Sequence, residues 1–190
     1  MADAENYFEA ELLKHLHGAL EAGIILVEAD NAGYFSKLAQ CYPVAGSKIR
    51  WSHIPGSIER HESAAHLQLA AGCDFFGEMV ALHGLTGQAV HIGDSAVGFA
   101  LLASVEEFAR HLDALLSIPQ HHYFVAADYS WCLALGMEGG MSFGRMVNGN
   151  AGTRLCTVIS VELASAGSAD ACFDDPSRDR ERLRTSNRHG

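Results

Sequence analysis

His122-Tyr123-Phe124-Val125-Ala126, Trp131-Cys132-Leu133-Ala134-Leu135 and Met141-Ser142-Phe143-Gly144 decide the fold class of this chain. Each is a short run dominated by aromatic and aliphatic residues, the pattern of a largely buried strand. Ala127-Asp128-Tyr129-Ser130 separates the first two, and Glu138-Gly139-Gly140 precedes the third, both with turn composition. Connections this short bring the chain back beside itself, so the spacing predicts antiparallel hairpins.

Upstream, strands and helices alternate. Gln88–Ile92 and Val97–Leu102 read as strands turned at Gly93-Asp94-Ser95. Ser104 followed by Glu107 predicts a capping box opening a helix, with Val105, Phe108, Leu112, Leu115 and Leu116 as its buried stripe and Pro119 beyond its end. Ser63 precedes a long helix over Ala64–His83, with Gly84 after it. Lys48–Ile54 alternates apolar with polar residues, predicting a half-exposed strand that Pro55-Gly56 interrupts. Nearer the start, Phe8, Leu12, Leu16 and Leu20 recur every fourth position within residues 5–22. That is an amphipathic helix, with Asp3, Glu5, Glu9 and Glu11 crowding its positive end. Ile24–Val27 then reads as a short buried strand, and Asp30 or Asn31 caps a second helix to about Cys41, before Pro43.

This mixture predicts an α+β fold, a single domain over residues 1–147 whose mixed or antiparallel sheet packs against several helices. Residues 148–190 differ. Asn148-Gly149-Asn150-Ala151-Gly152 reads as a linker, Leu155–Leu163 as a further strand candidate, and the arginine-rich stretch Asp174–Gly190 is expected to be disordered.

With 190 residues, 48% hydrophobic and 19% charged, the chain has room for a real core. Its net charge of −10 is unevenly spread: residues 1–147 hold 17 acids against 7 bases, whereas residues 148–190 balance at six of each. An acidic body repels phosphates, so neither nucleic acid nor an anionic membrane is an expected partner, and a basic protein is. Met1-Ala2-Asp3-Ala4-Glu5-Asn6 lacks the basic start of a secretory or transit peptide, and no apolar run approaches the ~20 residues of a membrane span, so a cytoplasmic location is expected. Cys41, Cys73, Cys132, Cys156 and Cys172 are odd in number and form no CxxC pair, which favours free thiols; Cys73 and Cys132 read as small core residues.

The eleven histidines form no local metal pattern. His61 and His66 are five apart, ~140° around a helix, where a zincin needs four. His15 and His17 diverge on their helix, and His121 and His122 point to opposite faces of a strand. The glycines at 136, 139, 140 and 144 match no phosphate loop, and no GxSxG elbow occurs. No catalytic residue, cofactor or metal is therefore expected. A small cytosolic hydrolase or transferase using Cys41 or a dispersed histidine set remains the alternative, and a self-associating scaffold a third reading. Trp51 and Trp131 are expected in the core.

Gly87-Gln88-Ala89-Val90-His91-Ile92-Gly93-Asp94, Pro119-Gln120-His121-His122-Tyr123-Phe124-Val125, and the Trp-Cys strand, Met-Glu-Gly turn and Phe-Gly end of residues 131–144 fall together within residues 75–145. In these motifs the stretch resembles bacterial immunity proteins of contact-dependent growth inhibition and polymorphic-toxin systems. Gly140 departs from this likeness, standing where such proteins would carry an acidic residue. The resemblance implies a non-enzymatic inhibitor that binds and neutralises a cognate toxin C-terminal domain, in many systems a nuclease with a basic groove. Glu59, Glu62, Asp94, Asp128 and Glu138 fall at predicted turns or element ends and are the expected partner-binding carboxylates.

Overall fold

The hairpins expected from residues 122–144 are present and in register. His122–Ala126 (β7) pairs antiparallel with Trp131–Leu135 (β8), with Phe124 opposite Leu133, and β8 pairs with Gly140–Arg145 (β9), with Leu133 opposite Phe143. The computed structural model describes residues 6–46 and 48–146. The linker, strand and disordered tail expected over 148–190 lie outside the described residues.

The remaining strands are Leu26–Glu28 (β1), Val44–Ala45 (β2), Lys48–Ile49 (β3), Ile58–His61 (β4), Gln88–Gly93 (β5) and Ala100–Ser104 (β6). Among the described residues, seven strands form one antiparallel sheet in the order β1-β6-β5-β7-β8-β9-β4, and β2 and β3 form a separate hairpin. The fold is α+β, and the sheet is antiparallel rather than mixed.

Four helices cover one face of the sheet: Tyr7–Glu21 (α1), Gln68–His83 (α3), Val105–Arg110 (α4) and Leu112–Leu116 (α5). They bury Leu12, Leu16, Phe75, Phe76, Met79, Phe108 and Leu115 against Leu101, Phe124, Leu133 and Phe143 of the sheet. Phe124 is the hub, edge-on to Phe76 at 5.0 Å and to Phe108 at 5.5 Å. On the opposite face, Asn31–Cys41 (α2), the β2–β3 hairpin and a single 3₁₀ turn at Trp51–His53 bury Leu38, Tyr42, Ile49, Trp51 and Ile54 over Val90, Tyr123, Val125 and Cys132. Both tryptophans are core residues, Cys132 is buried, and Cys73 is half-buried against the helical core.

Several expectations need correction. The strand expected at Ile24–Val27 runs instead over Leu26–Glu28 and is exposed, because among the described residues β1 is an edge strand paired only with β6; Ile25, just before it, is the residue that enters the core. Lys48–Ile54 is not one strand. The chain leaves β3 for the 3₁₀ turn, whose three-residue repeat puts Trp51 and Ile54 on one side, against Gly144 of β9. A side chain at Gly144 would press on both, with Ile54 Cγ2 only 3.0 Å from an added Cβ. β4 was not foreseen: Ile58 is its sole apolar residue, and its partner is the backbone of β9. His61 consequently lies in a strand, so the helical angle between His61 and His66 does not apply. The helix expected from Ala64 starts as a 3₁₀ turn at Ala65–Leu67 and becomes α3 at Gln68. The helix after Ser104 divides at His111 into α4 and α5. The strand expected at Val97–Leu102 is β6, so Ser104 both ends a strand and caps a helix.

The Ser104 hydroxyl accepts the Glu107 N–H at 3.2 Å, which is half of the expected capping box; the Glu107 carboxylate turns to Arg110 and His111 instead. Ser104→Ala is expected to cost about 1 kcal/mol and to lower the melting temperature by a few degrees. An unchanged thermal melt would show that the packing of Val105 and Phe108 holds α4 unaided.

Candidate functional site

Strand alternation sends Tyr123, Ala134 and Ser142 to the α2 side of the sheet, where they floor a cleft of about 290 Å³. Ile49, Trp51, His61, His121 and Glu138 also line it. His121 is clasped from both sides. Its Nδ1 lies 2.8 Å from Asp94 Oδ2, and its Nε2 lies 2.8 Å from Glu138 Oε2. Asp94 also accepts the His121 backbone N–H at 3.0 Å and the Ser95 hydroxyl at 3.1 Å. Lys48 Nζ stands 3.9 Å from the other Glu138 oxygen.

Burial works against the charged form of Asp94, but the His121 N–H and imidazole and the Ser95 hydroxyl together hold its carboxyl below the usual range. Glu138 is also lowered: desolvation, the largest single cause, opposes this, and its own backbone N–H, His121 and Lys48 together outweigh it. Each imidazole nitrogen of His121 thus has a carboxylate within hydrogen-bond distance, and the cluster fastens separate segments of the chain together. It ties the loop after β5, the start of β7 and the β8–β9 turn, and through Lys48 the β2–β3 hairpin.

The five expected contact carboxylates separate on this basis. Asp94 and Glu138, 44 residues apart in sequence, meet through His121, and Asp94 is only 13% exposed. Asp128 accepts the Ser130 N–H at 3.0 Å within the β7–β8 turn. Glu62 accepts the Ala64 N–H at 2.8 Å just before α3. Glu59 does not fall at a turn or element end: it is inside β4, opposite Ser142, and exposed. The five do not form one patch.

A histidine pair lies in the core beneath α4. His91 Nε2 is 3.0 Å from His122 Nδ1, and His122 Nε2 is 3.0 Å from the Ile118 carbonyl. The carbonyl can only accept, so His122 carries its proton on Nε2 and His91 donates to the bare Nδ1. His91 Nδ1 is then a buried acceptor without a partner. Burial drives His91 well below its ordinary value and brings His122 down to about 4, against the pull of the Ile118 carbonyl and Asp94. Sequence reading tested histidines by local spacing and missed this pair, which the β5–β7 pairing assembles across 31 residues. The usable signal was parity. His91 alternates with Ala89, and His122 with Phe124 and Ala126, all of them core positions.

Among the described residues, no group of three or more His, Cys, Asp or Glu side chains is arranged to hold a metal. Burial raises the thiol of Cys132, and raises that of Cys73 with help from Asp113 and Asp74, the reverse of what a nucleophile needs. Cys41 closes α2 and is half-buried. No helix among the described residues is long and apolar enough to cross a membrane.

Charge divides across the sheet. The helical layer α1, α3, α4 and α5 holds Glu9, Glu11, Glu21, Asp74, Glu78, Glu106, Glu107 and Asp113 against Lys14 and Arg110, an excess of six negative charges. Glu78 is paired with Arg60 at 2.6 Å and Glu107 is buried, while Glu21, Asp74, Glu106 and Asp113 are exposed. On the other side, α2 and the β2–β3 hairpin hold Lys37 and Lys48, set against Asp30 at the α2 N-cap and Glu138 on the cleft beside Lys48, so that layer is close to balanced. Comparison with protein-family models, with curated proteins and with solved structures gives no match for this chain.

Proposed function

We propose that this chain is an immunity protein that binds a cognate toxin domain, a basic nuclease by preference, and neutralises it by stoichiometric occupation. The observation that carries this reading is the one-sided charge, an acidic helical layer backed by a nearly balanced one. A charge kept only for solubility needs no such sorting. A surface meant to meet a phosphate-binding groove does, because complementary potential steers encounter and orients the partner. The resemblance of residues 75–145 to immunity proteins supports the same reading independently. The clasped His121 and the raised thiols of Cys73 and Cys132 fit a binding role better than hydrolase or transferase chemistry.

The docking face is then the helical layer rather than the loop carboxylates Glu62, Asp94, Asp128 and Glu138. Co-expression with the product of the adjacent upstream gene should rescue growth and co-purify a complex. Glu106→Lys with Asp113→Lys, both at exposed positions, is expected to slow association about tenfold at low salt and to flatten its salt dependence. Unchanged association would remove the electrostatic mechanism, and no complex at all would remove the function.

A further inference from the structure

The two edges of the seven-stranded sheet differ in kind. At one end β4 presents Glu59, Arg60 and His61, all exposed, and charged side chains on an edge strand discourage another chain from adding to it. At the other end β1 presents Leu26 and Val27, each 44% exposed, preceded by Ile24 at 51%. Among the described residues β1 pairs only with β6, so backbone groups along its outer side face away from the sheet. Leu26 stands opposite Leu102 and Val27 opposite Leu101, on alternate faces, so apolar side chains flank the open edge above and below.

The surroundings are acidic. Glu21 closes α1, Glu28 lies in β1 and Asp30 caps α2, and no lysine or arginine occurs between Lys14 and Lys37. The edge also continues from the acidic helical layer, since the N–H groups of Ile24 and Ile25 both bond to the Ala19 carbonyl at the end of α1.

We infer that β1 is the attachment edge for an extended, basic segment of the partner protein, which adds to the sheet as an eighth strand with apolar residues alternating with Lys or Arg. The inference rests on the immunity reading and gives it a point of contact. Main-chain hydrogen bonds to β1 supply affinity, and the alternating side chains supply specificity. The incoming apolar groups cover Ile24, Leu26 and Val27, and the incoming cations lie against Glu21, Glu28 and Asp30.

The test uses the full chain and the product of the adjacent upstream gene. Leu26→Glu with Val27→Glu makes the edge two charges more negative, which attraction for a basic partner alone would reward. Strand addition requires the opposite, a loss of affinity of at least about tenfold. In the wild-type complex, the amides of residues 26–28 that point away from β6 should exchange more slowly than in the isolated chain. If the wild type binds but the variant binds equally well, or those amides do not slow, the edge assignment falls and the immunity reading stands. If the wild type does not bind, both fall. Slow exchange of the same amides in the isolated chain would mean that its own residues or a second copy already cover the edge, and would overturn the assignment too.

Discussion

Lowering the pH from 7 to 4.5 is expected to cost the fold about 2 kcal/mol through His122 alone. The imidazole is held neutral in the core near 4, while in the unfolded chain it titrates at its ordinary value of 6.5. Below 6.5 the unfolded state therefore binds a proton that the folded state refuses, and stability falls with pH until the folded group titrates as well. His91, lowered in the same direction, deepens the loss. Protonating His122 would also set its Nδ1–H against the His91 Nε2–H 3.0 Å away. Urea unfolding at stepped pH reads the effect directly. A His91→Phe/His122→Leu variant should be less stable at pH 7, because the Ile118 carbonyl loses the His122 donor and keeps only the Gln120 N–H, yet much flatter between pH 6.5 and 4.5. A wild type equally stable at pH 7 and 4.5 would mean that the pair does not enter the core neutral.

Gly139→Ala is expected to destabilise the protein by about 3 kcal/mol or more, whereas Gly140→Ala next to it should change stability by less than about 0.5 kcal/mol. Gly139 has φ of +84°, where an L side chain costs about 1–2 kcal/mol. An added Cβ there would also run into the Glu62 carbonyl oxygen and approach Gln68 Nε2 to 2.8 Å. The same contact is a latch: Glu62 N–H donates to the Gly139 carbonyl at 2.9 Å, and Gln68 Nε2 donates to the Glu62 carbonyl at 3.1 Å. Relieving the clash thus means pulling the end of β4 and the start of α3 away from the β8–β9 turn. Gly140 has nothing within 4 Å of an added Cβ and lies on the cleft opposite His61. An acidic residue at this position, as the family resemblance would have it, has room to stand there. Denaturant midpoints of the two variants make the comparison; equal midpoints would show that the turn relaxes freely.

The parts of the fold that were legible share a cause. Where apolar residues recur with a definite period and turn residues punctuate them, local composition states both the element and its buried side. This holds for α1, α2, β5, β7, β8 and β9, and for the Ser104 cap. β4 was illegible because a strand held mainly by its neighbour's backbone needs almost no apolar residue of its own. Trp51 and Ile54 misled because an alternating pattern and a 3₁₀ turn both place apolar side chains at short intervals. Of the candidate site, the acidic excess was readable by counting, but its side was not. Glu21, Asp74, Glu106 and Asp113 sit on different helices whose grouping over one face depends on how the sheet is ordered.

The amino-acid sequence by itself determined the fold class, the hairpins of residues 122–144, the core positions of Trp51, Phe108 and Trp131 and the negative charge of residues 1–147, because each follows from residue type and spacing along the chain. Tertiary structure alone decided that His121 joins Asp94 to Glu138, that His91 meets His122, and that one edge of the sheet is charged and the other apolar. These relations depend on strand order. In an antiparallel sheet, residues dozens of positions apart become neighbours through backbone pairing, which local sequence does not record.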